Sequence, residues 1–536
     1  MARAIVLGLW LYYLAFSLVA PPIVTDAHLY DLARLYVIRQ GGLFHNDAVA
    51  IFTQLAFPWT FDAVHWPFVW VGAGYALPSF ACFTGLLVIT YLAVRDRYGA
   101  DVGWVTTLAL FALPTLIYQA TSVKSDVAVL FGVFCWFHAM RRFRFERRSG
   151  HLVWAALALG FAAGAKTSGI PLAGLLGIVS LWLLRREPRL AARWLACLAV
   201  AGVLFGSVET YVANVRVFGN VLGPDGLGGV RNGDGVVGAV ANAIRHAAYN
   251  VDLGTDVLAG RKWIVSTAME RWCRELLATL GWSAKGVAPW SRSDPLDFVK
   301  SGYEAQDGFG PLGTIAMVLV PVVLVRRAHD DPAWRLAAVA AVTFAWSAYA
   351  IGFGLWVNRF LMLPYTLGAL AAVLYAVPAW KKSRPVAVCG MAVLTYSAVV
   401  LPAFSFSRRP IDLWRSLHDR DAELTLEMPA YLPVLRAVRT SMETCPGATW
   451  VVTTHPTPQF LFFDLLRDRE VLVRPAAVTA GLLASVGRAH EGRAVRVLAL
   501  ERDVTAVPEL VDLKSFPGTG GTHIYAYGDG GCAEAG

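Results

Sequence analysis

Charge is what this sequence has least of. Asp, Glu, Lys and Arg make up 16% of its 536 residues, where a soluble domain carries about 25%. That deficit excludes a chain that is water-soluble along its whole length. With 56% hydrophobic residues and a mean hydropathy of +0.51, it points to lipid as a solvent. Nucleotide fingerprints are lacking too. No P-loop occurs, and the glycines from Gly223 to Gly229 do not follow a strand and open a helix, as a dinucleotide loop must. They read as a flexible loop. None of the seven cysteines falls in a CxxC or Cys/His pattern, which removes the usual zinc sites. Cys82, Cys135, Cys197 and Cys389 sit in apolar runs as small packing residues. Cys273, Cys445 and Cys532 lie in polar stretches, where Cys445 and Cys532 either pair or stay as free thiols. Internal repeats are missing, which counts against transporters built from repeated halves.

Long apolar runs are what the sequence does have. A spanning helix takes roughly 20 apolar residues, and on that measure about eleven stretches qualify: 4–20, 67–94, 102–118, 123–140, 152–164, 168–184, 191–213, 309–325, 335–355, 359–378 and 385–404. The net charge of +9 is distributed as membrane topology, not as a nucleic-acid footprint. Its clusters (Arg95/Arg97, Arg141 to Arg148, Arg185/Arg186/Arg189, Arg326/Arg327 and Lys381/Lys382/Arg384) fall in short loops. With the N-terminus inside, alternation puts all of them on the cytoplasmic side, as the positive-inside rule requires. Residues 1–20 also fit a signal peptide, but Pro21 and Pro22 favour an uncleaved helix.

The predicted fold is therefore a polytopic α-helical membrane protein with its polar mass on the outer face. Three stretches face outward: 21–66, with a helix along the interface; 214–308, rich in glycine; and 405–536, of soluble composition. In the last, strand-like runs (Thr449 to Thr454, Val495 to Leu500, Thr522 to Tyr527) alternate with helix-like ones (Pro429 to Met442, Pro458 to Arg467), which predicts a small α/β domain. The division is thus 1–404, a transmembrane module, and 405–536, an extracytoplasmic domain.

Ionisable groups at a membrane face are costly and so informative. Asp26 follows the first span and Asp126 opens the fourth, both at the outer interface. One such carboxylate can take a proton from an acceptor hydroxyl while the other orients a partner or binds a metal. Each can equally be a helix cap, as Thr25-Asp26 and Ser125-Asp126. Lys124, Lys166 and Arg359 are cations at the same face, suited to a phosphate or to snorkelling towards headgroups.

The pattern Asp26-Ala27-x-x-Tyr30-x-x-x-Arg34 after a first span resembles the opening loop of GT-C membrane glycosyltransferases. The branch is the one that includes protein O-mannosyltransferases and lipid A aminoarabinose transferases. Ser125-Asp126, the Lys-bearing turn Gly164-Ala165-Lys166-Thr167, Phe218-Gly219-Asn220 before Pro224, and Asn358-Arg359-Phe360 resemble further elements of that family in the same order, over residues 1–404. Asp31 stands where many relatives carry His, and Tyr303-Glu304-Ala305-Gln306-Asp307-Gly308 is only loosely similar to an acidic element of the family. The resemblance implies inverting transfer of a sugar from a polyprenyl-phosphate donor to a lipid, glycan or protein acceptor, with or without a divalent cation. It implies Asp26 and Asp126 as catalytic residues and Lys124, Lys166 and Arg359 on the donor phosphate. Tyr30, Asp31, Arg34, Glu304 and Asp307 would frame the acceptor. The expected location is a bacterial plasma membrane, with the active site outside the cytoplasm. A transporter or flippase of a lipid-linked or polar solute is the alternative, and a membrane scaffold or receptor a more distant one.

Overall fold

The computed structural model describes residues 1–23, 25–35, 56–221, 223, 232–259, 264–288, 308–329, 331–404, 409–426, 428–453, 462, 465–466, 471–474, 479–489, 494–500, 504, 510–516 and 522–527. The chain divides into two compact units, Met1–Ser17 with Ser79–Asp412, and Leu18–Pro78 with Leu413–Gly536.

The first unit is helical. Helix occupies each of the eleven apolar stretches, but unequally. Among the described residues, five helices are long and apolar enough to cross a membrane: Ala2–Val19, Leu77–Tyr98, Pro188–Phe205, Asn358–Lys382 and Arg384–Phe404. The pair Ala100–Phe111 and Pro114–Ala120, bent by 78°, makes a sixth if taken as one span. Pro114 cannot supply a helical N–H, so the chain turns there. Ser149–Ala165, Gly169–Leu184 and Gly310–Arg326 are apolar but shorter. Asp126–Glu146 has the length, but Asp126 at one end and Arg141, Arg142 and Arg144 at the other shorten its apolar part. The count that stands on length and apolarity is thus five or six.

Small residues set the packing. The Ser149–Ala165 helix lies between Asp126–Glu146 and Pro188–Phe205, and at both seams a glycine lets backbones meet. A Cβ on Gly132 would stand 2.8 Å from the Ala158 carbonyl oxygen, and one on Gly160 2.6 Å from that of Ala201. In lipid, where apolar faces gain nothing by hiding from water, such close approach is a main source of helix association. The Met362–Lys382 helix is buried on nearly all sides, from Met362 through Leu374 and Val377, as a helix hydrophobic all round should be.

In the second unit, five strands form one sheet in the order β2-β1-β3-β5-β4: β1 (Thr449–Thr453), β2 (Val471–Arg474), β3 (Val495–Leu500), β4 (Leu510–Phe516) and β5 (Thr522–Tyr527). β1 pairs in parallel with β2 and β3, while β5 runs antiparallel to β3 and β4. Trp450, Val451 and Val452 are all fully buried, the continuous apolar run of a strand covered on both faces. The helix Ala480–Ala489 adds Leu483 and Val486 to that core. The outermost strand, β4, carries a register shift at Asp512/Lys514, and charge there blunts an open edge. Cys445, just before β1, is disulfide-bonded; Cys82, Cys135, Cys197, Cys273 and Cys389 are free, and Cys532 lies outside the described residues. Residues 18–78 belong to this unit, and the Arg420 guanidinium donates to the Gly72 carbonyl (3.1 Å) across its two segments.

Candidate functional site

Three segments of the first unit meet at Asp126. The first is the turn 121–125, which follows the Pro114–Ala120 helix. Thr121 and Ser122 return their hydroxyls to the carbonyls of Ile117 and Gln119. The Lys124 N–H donates to Ser122 Oγ (3.3 Å), and Ser79 donates its hydroxyl to the Lys124 carbonyl (3.0 Å). Lys124 is thereby pinned on both sides of its peptide and is buried. The helix then starts at Asp126, and Ser125 makes no side-chain cap hydrogen bond. Capping is therefore not what the pair does.

The carboxylate turns instead to Lys166, whose ammonium donates to both Asp126 oxygens at 2.6 Å. The side chains are 20% and 4% exposed. The turn that presents Lys166 is fixed by contacts only small residues allow. Lys166 ends the Ser149–Ala165 helix in an extended conformation. A Cβ on Gly164 would run into the Phe205 carbonyl, and one on Gly169 into that of Ala162. Carbonyls freed at the helix end are taken by Tyr211 (Oη to Ala163, 2.9 Å) and Ser207 (Oγ to Gly164, 3.3 Å).

The third segment is the 3₁₀ turn Leu355–Leu361. Asn358 is locked in a reciprocal amide pair with Asn250, at 2.8 and 3.2 Å, and is buried. The Phe360 ring lies beneath two cations, Lys166 Nζ at 4.6 Å and Arg359 Cζ at 5.7 Å from its centroid. Within the Asn-Arg-Phe element, then, Asn358 anchors the turn, Phe360 supplies a ring face for cations, and Arg359 contributes charge. Lys166, Arg359 and Lys124 all act electrostatically on Asp126. Three cations thus gather round one carboxylate, and the planar fork of Arg359 is of the kind that holds phosphate bidentately.

The acidic opening motif belongs to the second unit. Asp26 precedes a π-helical turn, Ala27–Asp31, with a helical backbone, and its side chain does not cap that turn. The side chain of Tyr30, and all of Glu304 and Asp307, lie outside the described residues. Asp31 is half-buried. Arg34 is committed within the unit: its Nε meets Asp62 Oδ2 at 3.0 Å, and its Nη1 donates to the carbonyls of Phe57 (2.8 Å) and Pro58 (3.2 Å). The expected interfacial helix is thus buried on its polar side too, at His28 and Arg34. Burial holds His28 and His65 neutral, pushing them down to about 3 and about 4. Asp62 and His65 escaped the sequence reading; the available signal was the acid in Phe57-Pro58-Trp59-Thr60-Phe61-Asp62, a partner that a buried arginine must have.

In the stretch 214–308, Arg245 is spent on the carbonyls of Trp282, Ser283 and Lys285, and Gly219 caps the Val208–Phe218 helix at φ +68. Among the described residues, no group of three or more His, Cys, Asp or Glu comes together as a metal site.

The chain is similar to two solved ArnT structures. One is ArnT from Cupriavidus metallidurans in the apo state, at 15% identity and a TM-score of 0.46, over 98% of this chain and 97% of that one. The other is the same protein bound to undecaprenyl phosphate, at 16% identity and a TM-score of 0.45, with the same coverage. No family model matches the sequence, and no curated protein matches it. A functional assignment therefore stands on the residues of the site.

Proposed function

We propose that this protein is a multi-pass membrane glycosyltransferase of GT-C type. It moves a sugar from a polyprenyl-phosphate donor to an acceptor hydroxyl outside the cytoplasm. The observation that carries this reading is the ion pair of buried Asp126 with half-buried Lys166, with Lys124 and Arg359 acting on the same carboxylate at the end of an apolar helix. An apolar donor tail stays in lipid, while its phosphate needs positive charge at the point where the hydrocarbon ends. The leaving group is that lipid phosphate, and cations fixed in advance stabilise the charge it gains. Asp126 in this scheme holds Lys166 in place as a positioning residue.

Asp26 is proposed as the base. It removes the proton from the acceptor hydroxyl, whose oxygen bonds to the anomeric carbon as the bond to the phosphate oxygen breaks. The electron pair leaves on the lipid phosphate, and the anomeric configuration inverts. Support comes from the motif around Asp26 and from the π-helical turn beside it, a local irregularity frequent at functional sites. The domain 405–536, on the outer face, would frame the acceptor.

The test is transfer by the purified protein in lipid, given radiolabelled polyprenyl-phosphate mannose, glucose or arabinose and an extract of envelope acceptors, with and without divalent cation. The expected result is label in a new product, reduced at least a hundredfold by Asp26→Asn in protein that still folds and inserts. Near-normal transfer by that variant removes Asp26 from the role. No transfer from any donor, with label crossing the bilayer of sealed vesicles, replaces the transferase by a transporter.

A further inference from the structure

A second lipid-facing feature lies away from Asp126, in a groove of about 660 Å³ between the helices Leu77–Tyr98, Asp126–Glu146 and Ser149–Ala165. Its volume falls within the roughly 300–1,000 Å³ of small-molecule sites. Each helix contributes one stripe. On Asp126–Glu146 the lining positions are Phe131, Cys135, His138 and Arg142, spaced by four, three and four as one helical face requires. One end of the groove is apolar, with Leu92, Phe131, Trp154 and Phe161 in its lining, and the rings of Phe131 and Phe161 meet edge to face at 6.4 Å. The other end is polar, lined by Arg95, Asp96, His138, Arg142 and His151.

Two magnitudes identify the occupant. From Phe131 to Arg142 the helix rises about 16 Å at 1.5 Å per residue, close to half of a hydrocarbon core of about 30 Å. The groove from its apolar to its polar end is therefore about as long as one leaflet is deep. The polar end is also net positive. Among the described residues, Arg95, Arg141, Arg142 and Arg148 pair with two carboxylates, Asp96 and Glu146, so this end has more arginines than acids. Asp126 lies at the opposite end of this helix, about 24 Å from Arg142 by the same rise. An acyl chain with an anionic head matches the groove in length and in charge.

We propose that this groove is a specific site for one anionic phospholipid. The lipid belongs to the leaflet on the side of loops 95–101 and 141–151, opposite the Asp126 cluster. One chain lies along Leu92, Phe131, Trp154 and Phe161, and the phosphate is held by Arg95 and Arg142. The inference goes beyond the transferase reading and does not depend on it.

Native mass spectrometry of the detergent-purified, full-length protein tests it. Phosphatidylglycerol and phosphatidylcholine with identical chains are titrated separately and then against each other. One phosphatidylglycerol adduct is expected to survive washing at a concentration at least tenfold below that at which phosphatidylcholine binds. Arg95→Gln/Arg142→Gln should weaken that adduct at least tenfold, Arg95→Lys/Arg142→Lys should retain it, and Lys166→Met should leave it unchanged. Equal retention of the two lipids by the wild-type protein overturns the proposal without any variant having to fold. Loss of the adduct in Lys166→Met protein that is still folded overturns it too, by placing the lipid at the other cluster. Undecaprenyl phosphate displacing phosphatidylglycerol, with the same dependence on Arg95 and Arg142, replaces the phospholipid by a polyprenyl phosphate.

Discussion

Asp126 and Lys166 stand 40 residues apart in the chain and owe their meeting to a turn that no side chain larger than hydrogen at Gly164 would permit. A buried carboxylate is expensive alone, and removing the partner from a fully buried pair costs about 3–5 kcal/mol. Lys166 is half-buried, so Lys166→Met should destabilise the protein by up to about 3 kcal/mol, the lower end of that range. The double variant Asp126→Asn/Lys166→Met should recover most of the loss, because no charge is left stranded. Binding of undecaprenyl phosphate should recover in neither, falling at least tenfold in both. Thermal unfolding and retention of the labelled lipid separate the two effects, and a double variant that binds normally would make the pair purely structural. The sequence pointed to both residues by their position at a membrane face, but it could not say that they pair. Spacing along the chain carries no information on which of several cations reaches which acid. Arg34 shows the same limit: its motif marked it as a loop residue, and its partner Asp62 becomes visible only in the folded chain.

Among the elements, those with period and punctuation were the legible ones. The runs from Val495 to Leu500 and from Thr522 to Tyr527 are strands because β-branched and aromatic residues fit a half-buried pleated surface. The short helices around Lys166 end where Gly164 and Gly169 sit. Less legible were the breaks inside apolar runs. The 78° bend before Pro114 and the π turn at Tyr396–Val400 divide segments whose composition is uniform. At Gly164 the close approach yields a prediction. Gly164→Val should press on the Phe205 carbonyl, lower the thermal midpoint by the equivalent of about 1–3 kcal/mol, and weaken undecaprenyl phosphate binding through Lys166. Gly174→Ala, on the next helix, meets nothing within 4 Å and should be neutral or stabilising by up to about 1 kcal/mol. Equal effects of the two would mean that helix propensity, not the seam, governs that turn.

For the molecule as a whole, composition settled the solvent, and the basic clusters proposed a sidedness, but the grouping of residues 18–78 with 413–536 had no local signal. It depends on contacts such as that of Arg420 with Gly72, which join segments 348 residues apart. This unit has a predictable response to acid. His28 and His65 fold as neutral groups, at about 3 and about 4, against an ordinary value near 6.5. Between pH 6.5 and 4 the unfolded chain binds more protons, so stability falls as pH falls, by at most about 1.4 kcal/mol per pH unit for each histidine. Hydrogen exchange across residues 18–78 should accelerate from pH 7 to pH 5, and His65→Gln should flatten that slope; an unchanged slope would assign acid sensitivity elsewhere. The amide pair of Asn250 and Asn358 has a different bearing. Each side chain both gives and takes, so the tie fixes the separation of the two backbones across 108 residues of sequence. Arg359, next to Asn358, thus inherits its placement from the segment that carries Asn250. Sequence change around Asn250 cannot proceed independently of where Arg359 stands, and the two segments are bound to change together.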